Sequence, residues 1–181
     1  DTRPFTISAF IKTSASNFGT IFGKYSTSNK GYMINSLDGG KIHFITIEGS
    51  SSGSEIGGNI SVTDGQWHHV VCVRESDGTL KIYVDGVLDV AQTLPLRNVN
   101  ESIAPRIGND TRPPYTSKFN GTMDDVRIYA QSLTEAQIQA LRNLSDIDHD
   151  GIPDYEDNCP IKPNGPDLGT CSSTSDKPGG N

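Results

Sequence analysis

Between residues 5 and 13 the chain alternates. Phe5, Ile7, Ala9 and Ile11 fall on one side, and Thr6, Ser8 and Lys12 on the other. A period of two predicts a half-buried strand, with Phe10 as the one apolar residue on its outer side. Shorter runs of the same kind recur at 20–25, 31–37, 41–47, 60–62, 80–84, 87–90, 106–109 and 121–129. The run at 66–75, Q-W-H-H-V-V-C-V-R-E, is apolar on both faces over its middle, which suits a central strand covered on both sides. Turn signals separate the runs: Asp38-Gly39-Gly40, Asp64-Gly65, Asp77-Gly78 and Asp85-Gly86 supply the positive φ that tight hairpins need. The glycine- and serine-rich stretch 48–58 predicts a flexible loop that buries little. Many short strands punctuated in this way predict an all-β sandwich of two antiparallel sheets over residues 1–144. One short helix closes it. Thr134 is the expected N-cap, Gln137 completes a capping box, and the helix runs to about Asn143.

The pattern then changes. Residues 146–160 read D-I-D-H-D-G-I-P-D-Y-E-D-N-C-P, with six carboxylates and no Lys or Arg. Acids this close repel unless a cation joins them. Asp146, Asp148, Asp150, Asp154 and Asp157 take positions 1, 3, 5, 9 and 12 of a calcium loop. Gly151 stands at the sharp turn, and Ile152 at position 7 offers its backbone carbonyl. Pro153 and the Asp at position 12 fit a helix-flanked EF-hand poorly. The closing D-N-C-P resembles a thrombospondin type 3 repeat, and the resemblance implies bound Ca²⁺ over 145–160. The tail, 161–181, is rich in Gly, Pro, Ser and Thr and reads as a linker.

Charge follows that division. The 181 residues carry a formal charge of −7, and the six acids of the loop account for all but one of it. A nearly neutral remainder argues against a nucleic-acid partner, which requires a basic patch. No apolar run approaches the length that crosses a membrane as a helix. Cys159 and Cys171 stand twelve positions apart in the polar tail, where a disulfide could staple a segment with little core. Cys72, inside V-V-C-V, reads as a buried free thiol. A calcium loop together with a disulfide points outside the cell, to a secreted or cell-surface location.

Three longer motifs, D-G-Q-W-H-H-V-V-C-V, G-T-L-K-I-Y-V-D-G-V and G-T-M-D-D-V-R-I-Y-A-Q-S-L-T, join F-T-I-S-A-F-I-K in an order that resembles the laminin-G-like, concanavalin-A-like family over residues 1–142. The resemblance implies a jelly roll. It also implies one or two strands ahead of residue 5, whose absence would expose a sheet edge and invite a strand from a neighbour, unless the sequence is part of a longer chain that supplies it. In that family the acid at the position of Asp124 often helps hold a structural calcium, so Asp124 is a second candidate metal ligand. Some jelly rolls of this superfamily are glycosidases. The alternating acids that such chemistry needs on one strand are absent, and Asp124 and Asp125, being adjacent, point to opposite faces. His68, His69 and Trp67 read as packing. Tyr115 in R-P-P-Y, Tyr32 and Tyr25 are the candidate sugar platforms. The expectation is a calcium-binding recognition or adhesion module without catalysis, binding a glycan or a cell-surface protein. The alternative is a structural subunit whose copies contact one another in a filament.

Overall fold

The structure is a computed structural model of all 181 residues, and it describes residues 2–36, 39–49, 53–111, 114 and 117–143. The expected calcium loop, both tail cysteines and Tyr115 lie outside the described residues. Contacts divide the chain into two units, 1–135 and 136–181.

The first unit is a sandwich of two antiparallel five-stranded sheets. Strands β1 (Phe5–Lys12), β6 (Trp67–Arg74), β7 (Thr79–Val84), β8 (Val87–Thr93) and β10 (Thr122–Tyr129) form one sheet in the order β10-β1-β6-β7-β8. Strands β2 (Gly19–Tyr25), β3 (Lys30–Ser36), β4 (Lys41–Glu48), β5 (Gly53–Ser61) and β9 (Arg106–Ile107) form the other, in the order β5-β4-β3-β2-β9. Between them lies one apolar core. Ile7, Ile11, Val70, Cys72 and Ile82 come from the first sheet, and Phe22, Ile34, Phe44 and Ile56 from the second. The Asp-Gly turns fall where the sequence places them: Gly65, Gly78 and Gly86 all have positive φ, and Asp85 joins them at 53°. The described part of the second unit, 136–143, belongs to a helix, α1 (Glu135–Asn143), which starts directly after Thr134 and buries Ile138.

Two expectations are corrected. First, residues 53–58 are not a loop. They open β5, with Ser54 and Ile56 buried. The glycines that suggest flexibility admit close neighbours instead: a Cβ on Gly57 would meet the His43 ring at 2.8 Å, and one on Gly58 would meet Asp89 Oδ2 at 2.4 Å. Second, β1 is covered on both faces. Thr6, Ser8 and Phe10, assigned to the outer side, are buried. The polar ones are satisfied there. Thr6 Oγ1 donates to the Gln131 carbonyl at 2.9 Å and accepts the Leu133 N–H at 3.0 Å. Ser8 Oγ lies 2.8 Å from His69 Nε2. Pairing of this kind lets hydroxyls replace apolar side chains in a covered face.

The two long sides of the sandwich differ. On one, Asp89 of edge strand β8 accepts the Asn59 N–H at 2.8 Å and the Ile60 N–H at 3.3 Å, so its carboxylate stitches one sheet to β5 of the other. On the opposite side β10 pairs with β1 alone and β9 with β2 alone among the described residues.

Candidate functional site

A cleft of about 290 Å³ opens at the end of the sandwich where β1, β6, β3 and β10 converge. Its floor begins with Phe5, whose ring contacts Tyr32 at 4.7 Å and meets Phe44 edge-on at 6.0 Å. Tyr32 also stacks on Phe22 at 6.0 Å and 9°. Thus Tyr32, expected as a sugar platform, does line the cleft, with its ring packed against core aromatics. Burial pushes its phenol pKa up, and the cation of Arg74 opposes that.

Arg74 ends β6, the strand whose apolar middle forms the core. It is 1% exposed. Such a cation must be given partners or it destabilises the fold. Nη1 donates to the Arg97 carbonyl at 2.9 Å, Nη2 donates to the Arg3 carbonyl at 2.5 Å, and the guanidinium lies 4.8 Å from the centre of the Phe5 ring. Desolvation pulls its pKa down from the usual arginine range, and Tyr32 works against that. Arg74 thereby ties the chain entering β1 to the 94–105 connection. That connection is fixed at further points. Ser54 Oγ donates to the Pro95 carbonyl at 2.8 Å, the Asn98 N–H donates to Glu48 at 2.9 Å, and Val99 is buried in the core. Glu101 accepts from Ser26 and Ser28, and the Ser102 N–H, its first cause, holds its carboxyl below the usual range. Asn100 therefore stands in a fixed wall of the cleft.

Arg3 and Lys24 complete the polar lining, and Ile128, Tyr129 and Ala130 form the wall on the β10 side. Among the described lining residues there are three cations and no carboxylate. The arrangement offers positive charge, an amide and an apolar floor: the means to hold a polar or anionic group against a nonpolar body. Glycosidase chemistry needs two facing carboxylates, and the described lining provides neither. Arg3, Lys24, Arg74 and Asn100 did not stand out in the sequence. The one available signal was an arginine ending a run apolar on both faces, a charge that must be buried or must snorkel.

Of the adjacent pair, His69 packs in the sandwich and His68 ties turns together. His69 is buried, stacks on Phe10 at 4.5 Å, and bonds Ser8, so this Ser–His pair has no access to a substrate. His68 joins two turns: Nδ1 lies 2.8 Å from Asp85 Oδ2 and Nε2 3.0 Å from Asp64 Oδ1. Its pKa is raised, mainly by the bond to Asp85. Asp85 uses its second oxygen on the His69 N–H at 2.9 Å. Asp124 accepts the N–H of Asp125 at 2.7 Å, where φ is 50° and β10 bulges. Among the described residues no group of three His, Cys, Asp or Glu side chains is placed to hold a metal ion. Tyr25 is buried, and its hydroxyl donates to Asn29 at 2.9 Å. Cys72 is free and fully buried, and desolvation raises its pKa far above the ordinary thiol range.

Two five-stranded antiparallel sheets around one core define a jelly-roll sandwich. The chain belongs to the laminin-G-like branch of the concanavalin A-like lectin/glucanases superfamily, whose family model matches residues 1–139. The thrombospondin type 3 repeat model matches residues 145–166, in the expected order. A curated relative, the adhesion G-protein coupled receptor V1 of Danio rerio, is 27% identical over 148 residues, which is 77% of this chain and 2% of the receptor. Among solved structures, the binding domain of botulinum neurotoxin DC in complex with rat synaptotagmin II superposes with a TM-score of 0.65 at 20% identity, covering 82% of this chain and 38% of that one. A structure of botulinum neurotoxin type C, whose cell entry depends on two ganglioside molecules, gives 0.62 at 20%, covering 82% and 38%. The binding domain of Paraclostridial Mosquitocidal Protein 1 gives 0.63 at 16%, covering 82% and 39%. At these identities the likeness shows the fold. Among the described residues no helix is long and apolar enough to cross a membrane.

Proposed function

We propose that this chain is an extracellular or cell-surface recognition module without catalytic activity, binding a glycan or a surface protein through the cationic cleft. The observation that carries the reading is the convergence of Arg3, Lys24 and Arg74 with Asn100 around an aromatic floor, with no carboxylate among the described lining residues. The relatives support it by the company they keep: an adhesion receptor, and toxin domains that engage gangliosides or synaptotagmin. The thrombospondin type 3 match supports Ca²⁺ held by Asp146, Asp148, Asp150, Asp154 and Asp157 with the Ile152 carbonyl, which would rigidify the exit from the domain. A Cys159–Cys171 disulfide would staple the segment beyond it.

The test is a glycan array together with capture of surface proteins by the 181-residue chain, in parallel with an Arg3→Glu, Lys24→Glu variant. Both substitutions leave Arg74 and its hydrogen bonds in place. The reading predicts specific binding that the variant loses at least tenfold. Equal binding by both proteins, or none by either, contradicts it. The rival reading, a subunit that polymerises with its own copies, draws on β10 and β9, each paired on one side alone among the described residues. Sedimentation velocity separates the two: a monomer at all concentrations supports recognition, a polymer supports assembly.

A further inference from the structure

The end of the sandwich opposite the cleft carries a second pocket, of about 270 Å³. Trp67 opens β6 and Arg74 closes it, so the two sites stand about 24 Å apart along that strand. The second pocket lies where β1 leaves its sheet. Thr13, just past β1, is 4% exposed and pins three segments there. Its hydroxyl donates to the Asn120 carbonyl at 2.6 Å and accepts the Ala15 N–H at 3.0 Å, and its carbonyl accepts the Gly65 N–H at 3.1 Å. Gly121 fits this frame only without a side chain: a Cβ there would lie 2.4 Å from the Lys12 carbonyl oxygen and 2.9 Å from Thr13 Cβ. The walls are therefore set before a ligand arrives, which lowers the cost of binding one. The groups they present are polar and open. Ser14, Asn120 and Thr122 line the pocket, and their side chains make no hydrogen bond among the described residues. Lys12 lines it too and has no carboxylate partner among the described residues; its contact is with the Trp67 ring, whose centre lies 6.0 Å from Nζ. Register sets Thr122, Lys12 and the part-exposed Trp67 side by side across β10, β1 and β6. The acids closest in sequence are engaged elsewhere. Asp64 accepts the Gln66 N–H at 2.8 Å and lies 3.0 Å from His68 Nε2, and Asp124 accepts the Asp125 N–H.

We propose that this pocket binds a sugar ring carrying one negative charge, a uronate or a sulfate ester. Three features select that class. A single unpaired lysine balances a single charge, whereas phosphate sites gather several cations or a row of backbone N–H groups. Two hydroxyls and an amide answer the hydroxyls of a sugar as both donors and acceptors. The indole beside Lys12 offers a face to the apolar side of the ring. The volume lies below the range that encloses a drug-sized ligand, and it suits one ring rather than a chain of them. The site is independent of the cleft, because its walls come from residues 12–15, 65 and 120–122 at the far ends of the same strands. One ring held by one cation binds at about millimolar concentration, so it is read in solution and adds no signal to the glycan array that tests the cleft.

Trp67 is the only tryptophan in the chain, so its fluorescence reports on this pocket and not on the cleft. The test titrates the whole chain with glucuronate, glucose 6-sulfate, glucose and sodium acetate at one ionic strength. The expected result is a saturable change with one or both acidic sugars, at least fivefold tighter than with glucose or acetate, and the two acids tell a carboxylate from a sulfate site. Lys12→Met should remove the preference for acids. Asn120→Ala, which leaves the carbonyl that Thr13 binds, should weaken binding at least threefold with unchanged circular dichroism. The absence of a saturable change with either acid overturns the inference. So does an equal response to acetate, which would mean an adventitious ion only, an equal response to glucose, or undiminished binding by Lys12→Met.

Discussion

Arg74 is the residue on which the cleft depends. Truncating it removes two hydrogen bonds and the contact with Phe5, and leaves two carbonyls that lack a donor. Arg74→Ala should destabilise the domain by about 2–4 kcal/mol, read by denaturant unfolding. Arg74→Lys should recover little of that, because an ammonium cannot reproduce the forked geometry. His68 makes a pH prediction. An imidazole with a carboxylate on each nitrogen satisfies both only when doubly protonated. Its folded pKa is raised above the unfolded value. The stability from this clamp is therefore complete below about pH 6.5 and is lost as pH rises through the folded pKa. Unfolding followed from pH 5 to 9 should show that decline, and His68→Gln should flatten it. Neither role was legible in the sequence. The W-H-H pair reads as packing, and only the fold brings Asp85 across to His68.

At the scale of the element, alternation and Asp-Gly turns carried most of the reading. The strands at 20–25, 41–47 and 80–84 appear close to the positions expected; in β4, at 41–47, a single covered face imposes a strict period of two. Where both faces are covered the period fades, as in β1, whose outer hydroxyls look solvent-facing until Gln131 and Leu133 reach them. The first part of β5 was missed because glycine and serine are weak strand formers in isolation. Here tertiary packing overrides propensity by inserting His43 and Asp89 against the glycines. One glycine makes a test. Gly31, in the hairpin that carries Lys24 and Tyr32, has φ of 131°, and a Cβ there would lie 1.8 Å from the Lys24 carbonyl oxygen. Gly31→Ala should therefore lower stability by more than about 2 kcal/mol in thermal unfolding and displace both cleft residues.

At the scale of the whole molecule the chain joins a laminin-G-like sandwich to a thrombospondin type 3 repeat. The order was legible because each part has a pattern no other element shares: turns between short strands, then acids at fixed spacing. The cleft was not, because its three cations come from three separate stretches that only the two-sheet topology assembles. For the repeat, Asp148→Ala with Asp150→Ala should abolish calcium binding by titration calorimetry and speed proteolysis beyond Leu144, and chelator should do the same to the unaltered chain. The central claim is that recognition happens at the end of the sandwich where Arg74 anchors the wall. Hydrogen exchange of the chain with and without a surface partner captured from cells tests it most directly. The account predicts slowed exchange at residues 3–5, 24, 32, 99–100 and 126–130. Protection confined to the turns around Asp64 and Asp85, or to the β5–β8 side, would contradict it.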